Sequence, residues 1–193
     1  MRDFERPTGR LRTLSFYARL VYSVFLVFTL AALVLTAWLA EDMVGKDLSG
    51  VRGYYAGEEG TPTSAPTATD GPQLELPEDA VIRTPPMPQR KLLEVTHFHL
   101  FSMPVYLLIL SHLYMLSRAS SRAKALWIGG GTLGVALHVA APWIAASGAT
   151  WSRAFYAVSG SVLAVSFLVM CIGPLVEMWG PAPPPRRSEP PRP

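Results

Sequence analysis

The stretch FYARLVYSVFLVFTLAALVLTAWLA, residues 16–40, decides the fold class because it is long enough and apolar enough to cross a bilayer. A helix needs about 20 mainly apolar residues to span a hydrocarbon core of about 30 Å. Three further stretches meet this criterion, at residues 92–117, 125–147 and 154–178. Backbone polar groups inside a bilayer must be satisfied within the chain, so each stretch is expected to be a helix. The sequence therefore predicts an all-α integral membrane protein, a four-helix up-and-down bundle.

The first of these stretches is expected to stay in the mature protein rather than to be removed as a signal peptide. The apolar region of a signal peptide is about 7–15 residues long and is followed by small residues at the cleavage site. Residues 16–40 form a longer run, and the bulky Trp38 lies where a small residue would be needed. The stretch is therefore interpreted as a membrane span.

The composition excludes several classes of protein. Half of the 193 residues are hydrophobic and only 16% are charged, which is too apolar for an ordinary soluble domain. The single cysteine, Cys171, lies within an apolar run, so neither a disulfide framework nor a cysteine-based metal cage is available. Zinc-finger and thiol-redox proteins are thereby excluded.

Lysine and arginine residues near the ends of the spans predict the orientation in the membrane. The N-terminal arm (residues 1–15), the link between the second and third spans, and the tail (residues 179–193) are basic, whereas residues 41–91 hold more acidic than basic side chains. Both termini are therefore expected in the cytoplasm, with the protein in a bacterial inner membrane. Residues 41–91 are expected to form an extracytoplasmic loop with a proline-rich tether, and the tail is expected to be disordered. The excess of basic residues at the cytoplasmic ends of the spans explains the net charge of +3, so no nucleic-acid partner is expected.

All four histidines of the chain, His97, His99, His112 and His138, lie within predicted spans. Ionisable side chains are costly inside a bilayer, so a functional role is the default hypothesis for them. Counted at about 1.5 Å per residue, His97, His99 and His138 lie at similar depths below the outer surface, whereas His112 lies about 20 Å further toward the cytoplasm. On an ideal helix Glu94, His97 and His112 share one face, and His99 points nearly the opposite way from His97.

Two histidines at one depth on facing helices are typical of a b-type haem with two imidazole ligands. The iron ligands would be His138 with either His99 or His97, and Glu94 would support them from nearby. His112 is a further candidate ligand, but it lacks a histidine partner at its own depth. One haem is therefore expected.

Three other interpretations of the histidines remain open. Copper or zinc bound by His97, His99 and His138 near the outer surface is chemically sound. A di-iron site would use Glu94 and His97, but it also needs a second Glu-x-x-His and two more glutamates, which the spans do not supply. Otherwise the histidines are hydrogen-bonded interior residues at helix contacts.

Prolines and glycines within the spans each carry two interpretations. Pro104, Pro142 and Pro174 each remove a helix hydrogen bond, and the resulting kinks either make room for a cofactor or are simply tolerated. Gly130 and Gly134 form a small-xxx-small face, which favours close helix packing but would also admit the edge of a flat cofactor.

A signature centred on the histidines resembles a known group of proteins. EVTHFHLFSMP (residues 94–104), LLILSHL (107–113), the upstream YYAGEE (54–59) and APW (141–143) resemble a group of small four-span bacterial inner-membrane proteins. The H-x-H-L motif at residues 97–100 is also similar to short segments in relatives of the haem-copper oxidases. These resemblances imply a four-span membrane fold and a respiratory context.

Taken together, these features predict an inner-membrane protein that binds b-type haem near its outer face and transfers electrons. It would act as a subunit of a larger membrane redox complex or as a homo-oligomer. The alternatives are a non-catalytic accessory subunit of a membrane complex and a copper- or zinc-binding membrane protein. No nucleophile with an activating base is evident, so an enzymatic activity is not expected.

Overall fold

The computed structural model describes residues 10–57 and 85–181, and in these residues the chain forms helices and no strand. A short 3-10 turn at Arg10–Thr13 comes first. Five α-helices follow: α1 (Phe16–Val44), α2 (Val51–Ala56), α3 (Gln89–Met115), α4 (Ser121–Ala146) and α5 (Ser152–Trp179). Four of them, α1, α3, α4 and α5, are long and apolar enough to cross a membrane. The prediction of an all-α membrane bundle with four spans is confirmed. Most of the N-terminal arm, the proline-rich tether and the tail lie outside the described residues.

The spans begin and end a few residues away from the limits of the apolar runs. The first helix continues past residue 40 through Glu41 and Asp42 and ends where Gly45 takes a φ of 80°. A residue with a side chain rarely adopts this left-handed conformation, so glycine is suited to end a helix. At the other end of the bundle, the hydroxyl of Ser120 accepts a hydrogen bond from the amide of Ala123 and caps α4. Capping chemistry, rather than hydropathy, therefore sets these helix ends.

Helices α4 and α5 form the closest pair in the bundle. A side chain at Gly134 would meet the backbone of Leu163 at 2.8 Å, and one at Gly130 would meet the Ser166 hydroxyl at 2.9 Å. The glycine face of α4 is therefore occupied by α5, as the helix-packing interpretation predicts, and it leaves no room there for the edge of a flat cofactor. Helix α3 packs on both α4 and α5, and α1 lies against α5.

The core of the bundle is apolar and well covered. Leu26 from α1, Leu110 from α3 and Phe167 from α5 are all buried within it. Met170 is fully buried and packs beside Gly131, which makes it a core residue. Large apolar side chains also cover the outer surface of the helices, among them Phe28, Val34, Phe98, Phe101 and Leu108. Such a surface is suited to contact with lipid.

The short helix α2 closes one end of the bundle, which we call the capped end. Val51 and Tyr55 of α2 are buried against Val44, Leu92 and Ala145, so α2 joins the ends of α1, α3 and α4. The backbone amide of residue 87 also donates to the carbonyl of Tyr55 at 3.1 Å. Tyr55 is therefore a packed residue of the cap.

Candidate histidine-pair site

His99 on α3 and His138 on α4 face each other just below the capped end. Their ring centroids are 5.6 Å apart and the rings are inclined by 48°. Nδ1 of His99 lies 2.7 Å from the carbonyl oxygen of Val95. Because a carbonyl can only accept, Nδ1 must carry the proton in this bond, and Nε2 of the neutral ring keeps its lone pair. His99 is thus held in the tautomer that a metal ligand requires.

His138 is less well satisfied than His99. Its Nδ1 is buried and has no hydrogen-bond partner. Residue 142, one turn further along α4, is proline and has no amide proton, so the backbone carbonyl of His138 also loses its usual helical donor. An unpaired buried polar group costs about 1–3 kcal/mol. His138 therefore combines an unpaired ring nitrogen with a backbone carbonyl that has no helical donor.

A small cavity lies between α3 and α4 beside the pair. It is lined by Val95, Thr96, His99, His138, Val139 and Pro142, and its volume is about 10 Å³. This is about the space needed for one water molecule or one small ion. The Thr96 hydroxyl at its edge accepts a hydrogen bond from Trp143 Nε1 at 2.8 Å and donates to the carbonyl of Leu92 at 2.8 Å. The Thr96–Trp143 bond ties α3 to α4 next to the histidines.

A series of aromatic rings connects the pair to the cap. The ring of His138 lies 6.4 Å from that of Tyr156 on α5, which lies 6.1 Å from Tyr55 on α2. Tyr54 packs edge-on against Tyr55 at 4.9 Å. Burial raises the pKa of Tyr55 well above its ordinary value, and the neighbouring Tyr156 raises it further. Sequence reasoning missed Tyr156. The sequence feature that could have pointed to Tyr156 is a polar aromatic residue in the second turn of a span, at the same end of the bundle as His138.

The other predicted site residues lie elsewhere. His97 is exposed on the outer face of α3, where its ring packs 4.9 Å from that of Phe101. His112 is exposed near the opposite end of the same helix. Glu94 forms surface ion pairs with Arg90 and Lys91.

The predicted three-histidine metal site is therefore not assembled, because His97 and His99 leave α3 on different sides. In the described part of the chain, no group of three or more histidine, cysteine, aspartate or glutamate side chains could hold a metal ion. The site consists of the pair His99 and His138.

The distance between the two histidine rings and the volume of the cavity beside them determine which cofactor the pair could hold. Two imidazoles bound to one metal, with nitrogens about 2 Å from it, have ring centres about 6 Å apart when they lie on opposite sides and closer when the angle is bent. The observed 5.6 Å is compatible with a single shared ion. A haem needs a slot with a volume of hundreds of Å³, as do other large ligands. The cavity described here is far smaller, so a haem would require α3 and α4 to lie further apart.

Comparison with known families agrees with this architecture. A family model described as a transmembrane helical domain, Aq_1264_TM, matches residues 45–185. The chain belongs to this family. The range that matches the family model begins directly after α1 and contains α2, both histidines of the pair and Tyr156. No curated protein and no solved structure matches the chain.

Proposed function

We propose that this protein is a metal-binding protein of the membrane and that it holds one transition-metal ion, copper, between His99 and His138. The observation that carries this proposal is the facing pair itself. Two imidazoles from different helices converge on a space that fits one small ligand. One of them is already held in the ligating tautomer by the carbonyl of Val95.

The donor set favours copper over other metals. Imidazole nitrogen suits copper, zinc, iron and nickel, whereas calcium and magnesium prefer oxygen ligands. Structural zinc is almost always bound by four protein ligands, and the pair supplies two. Copper in its reduced state accepts two or three ligands, and copper binds imidazole most strongly among the divalent metals of its series. The pair together with one water molecule therefore suits copper best.

The proposed setting is a bacterial inner membrane with both termini in the cytoplasm. This orientation follows the distribution of basic residues and puts the capped end outside. His138 lies eight residues before the end of α4, or about 12 Å below the outer end at the rise of an α-helix. The ion would then be close to the outer aqueous phase. We propose a role in metal handling or electron transfer, without enzymatic activity, as a subunit of a larger membrane redox complex or as a homo-oligomer.

A b-type haem is the second candidate, and the ring spacing of the pair favours it. The 5.6 Å between the rings is close to the distance that two axial imidazoles need. Haem binding would require α3 to move away from α4, because the cavity between them has the volume of one water molecule. The chain would supply His99 and His138 as ligands, and the haem would supply the redox chemistry.

One experiment separates these functions. The protein is purified in detergent from its own membrane, its copper, zinc and iron contents are measured, and a reduced-minus-oxidised absorption spectrum is recorded. We expect close to one copper per chain and no haem bands. Sharp haem bands with matching iron would establish the second candidate instead.

Four alanine variants identify the ligands. We expect His99→Ala and His138→Ala to lose the ion, because each removes half of the pair. His97→Ala and His112→Ala are matched controls on α3 and are expected to keep it, because both side chains are exposed away from the pair. Equal loss in all four variants, or no metal and no haem in the wild type, would refute a cofactor site at this pair.

A further inference from the structure

We propose that Tyr156 is the positioning residue for His138 and that its hydroxyl oxygen accepts the hydrogen bond of His138 Nδ1–H when the pair is bound to metal. This inference rests on the proposed metal site and extends it to a third helix. Metal-ligating histidines almost always donate their second ring N–H to a carboxylate, carbonyl or water, which fixes the tautomer and the ring orientation. His99 has such a partner in Val95, and His138 has none.

The surroundings of His138 leave Tyr156 as the suitable acceptor. Two rings lie against His138 in the described part of the chain, those of His99 and Tyr156, and only Tyr156 carries an oxygen. The Thr96 hydroxyl already accepts from Trp143 and donates to Leu92. The Tyr156 hydroxyl interacts with that of Tyr55, and with two lone pairs it can still accept a bond from His138. The remaining cavity residues, Val95, Val139 and Pro142, have apolar side chains.

The distance between the two rings is compatible with this bond. The centroids are 6.4 Å apart and the planes are inclined by 51°. If the side chains rotate so that the Tyr156 hydroxyl and His138 Nδ1 point toward each other, the 6.4 Å between the ring centroids leaves a hydrogen-bond distance of about 2.8 Å between these two atoms. The bond is not made in the structure described here, where His138 Nδ1 is unpartnered. Its formation would remove this buried, unsatisfied group.

The cap holds Tyr156 in place for this role. The ring of Tyr156 lies against that of Tyr55, which is 6% exposed and anchored by the fully buried Val51 on the same short helix. The carbonyl of Tyr55 also accepts a hydrogen bond from the backbone at residue 87. The position of α2 is thereby transmitted through Tyr55 and Tyr156 to a ligand of the metal site.

The test uses Tyr156→Phe, which keeps the ring and removes the oxygen. Copper(I) affinity is measured by competition with a chelator, and the ring nitrogens of His138 are followed by nuclear magnetic resonance in ¹⁵N-histidine-labelled protein, both with and without copper. We expect the affinity to fall by about 10–100-fold, as when other outer partners of metal ligands are lost. In the copper-bound protein we also expect the His138 Nδ1 resonance to move while that of His99 stays.

Tyr106→Phe is the matched control, because Tyr106 stacks on Phe25 at 6.0 Å and has no ring contact with the pair. It should change neither the affinity nor the resonances. If Tyr156→Phe does not fold, 3-fluorotyrosine at position 156 weakens the acceptor without removing it and should move the same His138 resonance.

The results distinguish the inference from the function on which it rests. Unchanged His138 resonances and unchanged affinity in Tyr156→Phe, with copper bound to the wild type, would overturn the role of Tyr156 alone. A wild type that binds no copper would refute the metal site and, with it, the metal-bound state in which this hydrogen bond is proposed to form.

Discussion

Gly134 of α4 lies directly against the backbone of Leu163 in α5, so that a Cβ atom at position 134 would be only 2.8 Å from the Leu163 Cα. The two helices therefore touch through their main chains at this point. Close approach of this kind lets van der Waals contacts hold helices together in a lipid environment, where the hydrophobic effect between helices is weak. The contact fixes α4, and with it His138 one turn further along the same helix.

Gly134→Ala is expected to destabilise the protein by about 1–3 kcal/mol, because the neighbouring atoms are backbone and cannot move aside as a flexible side chain would. Thermal unfolding in detergent, followed by circular dichroism, measures this change. Gly129→Ala is the matched control, because no atom lies within 4 Å of the added Cβ. It is expected to be neutral or to stabilise α4 by up to about 1 kcal/mol through helix propensity. Equal effects of the two substitutions would contradict the close contact.

Thr96→Val is expected to lower stability by about 0.6 kcal/mol, the average for a hydrogen bond between membrane helices. Valine keeps the shape of threonine but cannot accept the 2.8 Å bond from Trp143 Nε1. The indole proton resonance of Trp143 should shift as the bond is lost. Ser23→Ala removes the equivalent 2.8 Å bond to Trp179, which joins α1 and α5 instead. Both variants should lose similar stability, but only Thr96→Val should alter metal affinity.

Glu177→Ala is expected to loosen the link between α3 and α4 at the end opposite the cap. The Glu177 carboxylate accepts a hydrogen bond from the backbone amide of Arg118 at 2.7 Å, and its side chain is only 11% exposed. Its removal is expected to cost about 1 kcal/mol and to speed tryptic cleavage after Arg118. Glu177→Gln keeps an acceptor oxygen and should behave more like the wild type. If both variants resist trypsin as well as the wild type does, the bond between Glu177 and Arg118 does not order the link between α3 and α4.

The turn between α1 and α2 is expected to weaken in acid. The side-chain hydroxyl of Ser49, and then its backbone amide, donate to the Asp47 carboxylate and hold the pKa of Asp47 below its ordinary value of 3.8. A depressed folded-state pKa contributes stability that is present above the unfolded pKa and is lost as pH falls through the folded value. A carboxyl ¹³C titration should therefore find Asp47 titrating below 3.8.

Ser49→Ala tests the cause of this shift, because it removes the largest contribution and should return the pKa of Asp47 toward 3.8. Arg153→Ala removes a guanidinium whose Nη2 lies 3.7 Å from the Asp47 carboxylate. It should change the pKa of Asp47 by a smaller amount. A larger shift in Arg153→Ala than in Ser49→Ala would show that charge, rather than hydrogen bonding, depresses the pKa.

Much of the fold was predictable from the sequence because membrane spans have a simple physical signature. Four runs of about 20 apolar residues leave the backbone no stable alternative to helices inside a bilayer. The small-xxx-small face of Gly130 and Gly134 likewise predicted a close helix contact, which the structure shows on α5. Helix ends were less predictable, because α1 continues into charged residues until Gly45 ends it.

The candidate site was only partly predictable. The sequence limited it to four histidines and matched the depths of three of them, but it left open whether His97 or His99 faces α4. That choice depends on the rotation of α3 about its own axis, which contacts with α4 and α5 decide and which no local pattern encodes. The same holds for Tyr156, because its place between His138 and Tyr55 requires α2 to fold back over the bundle. The sequence alone thus determined that this is a four-span helical membrane protein, because hydropathy is a local property of the chain. Only the tertiary structure decided which side chains meet, because packing between helices depends on residues that are far apart in the sequence.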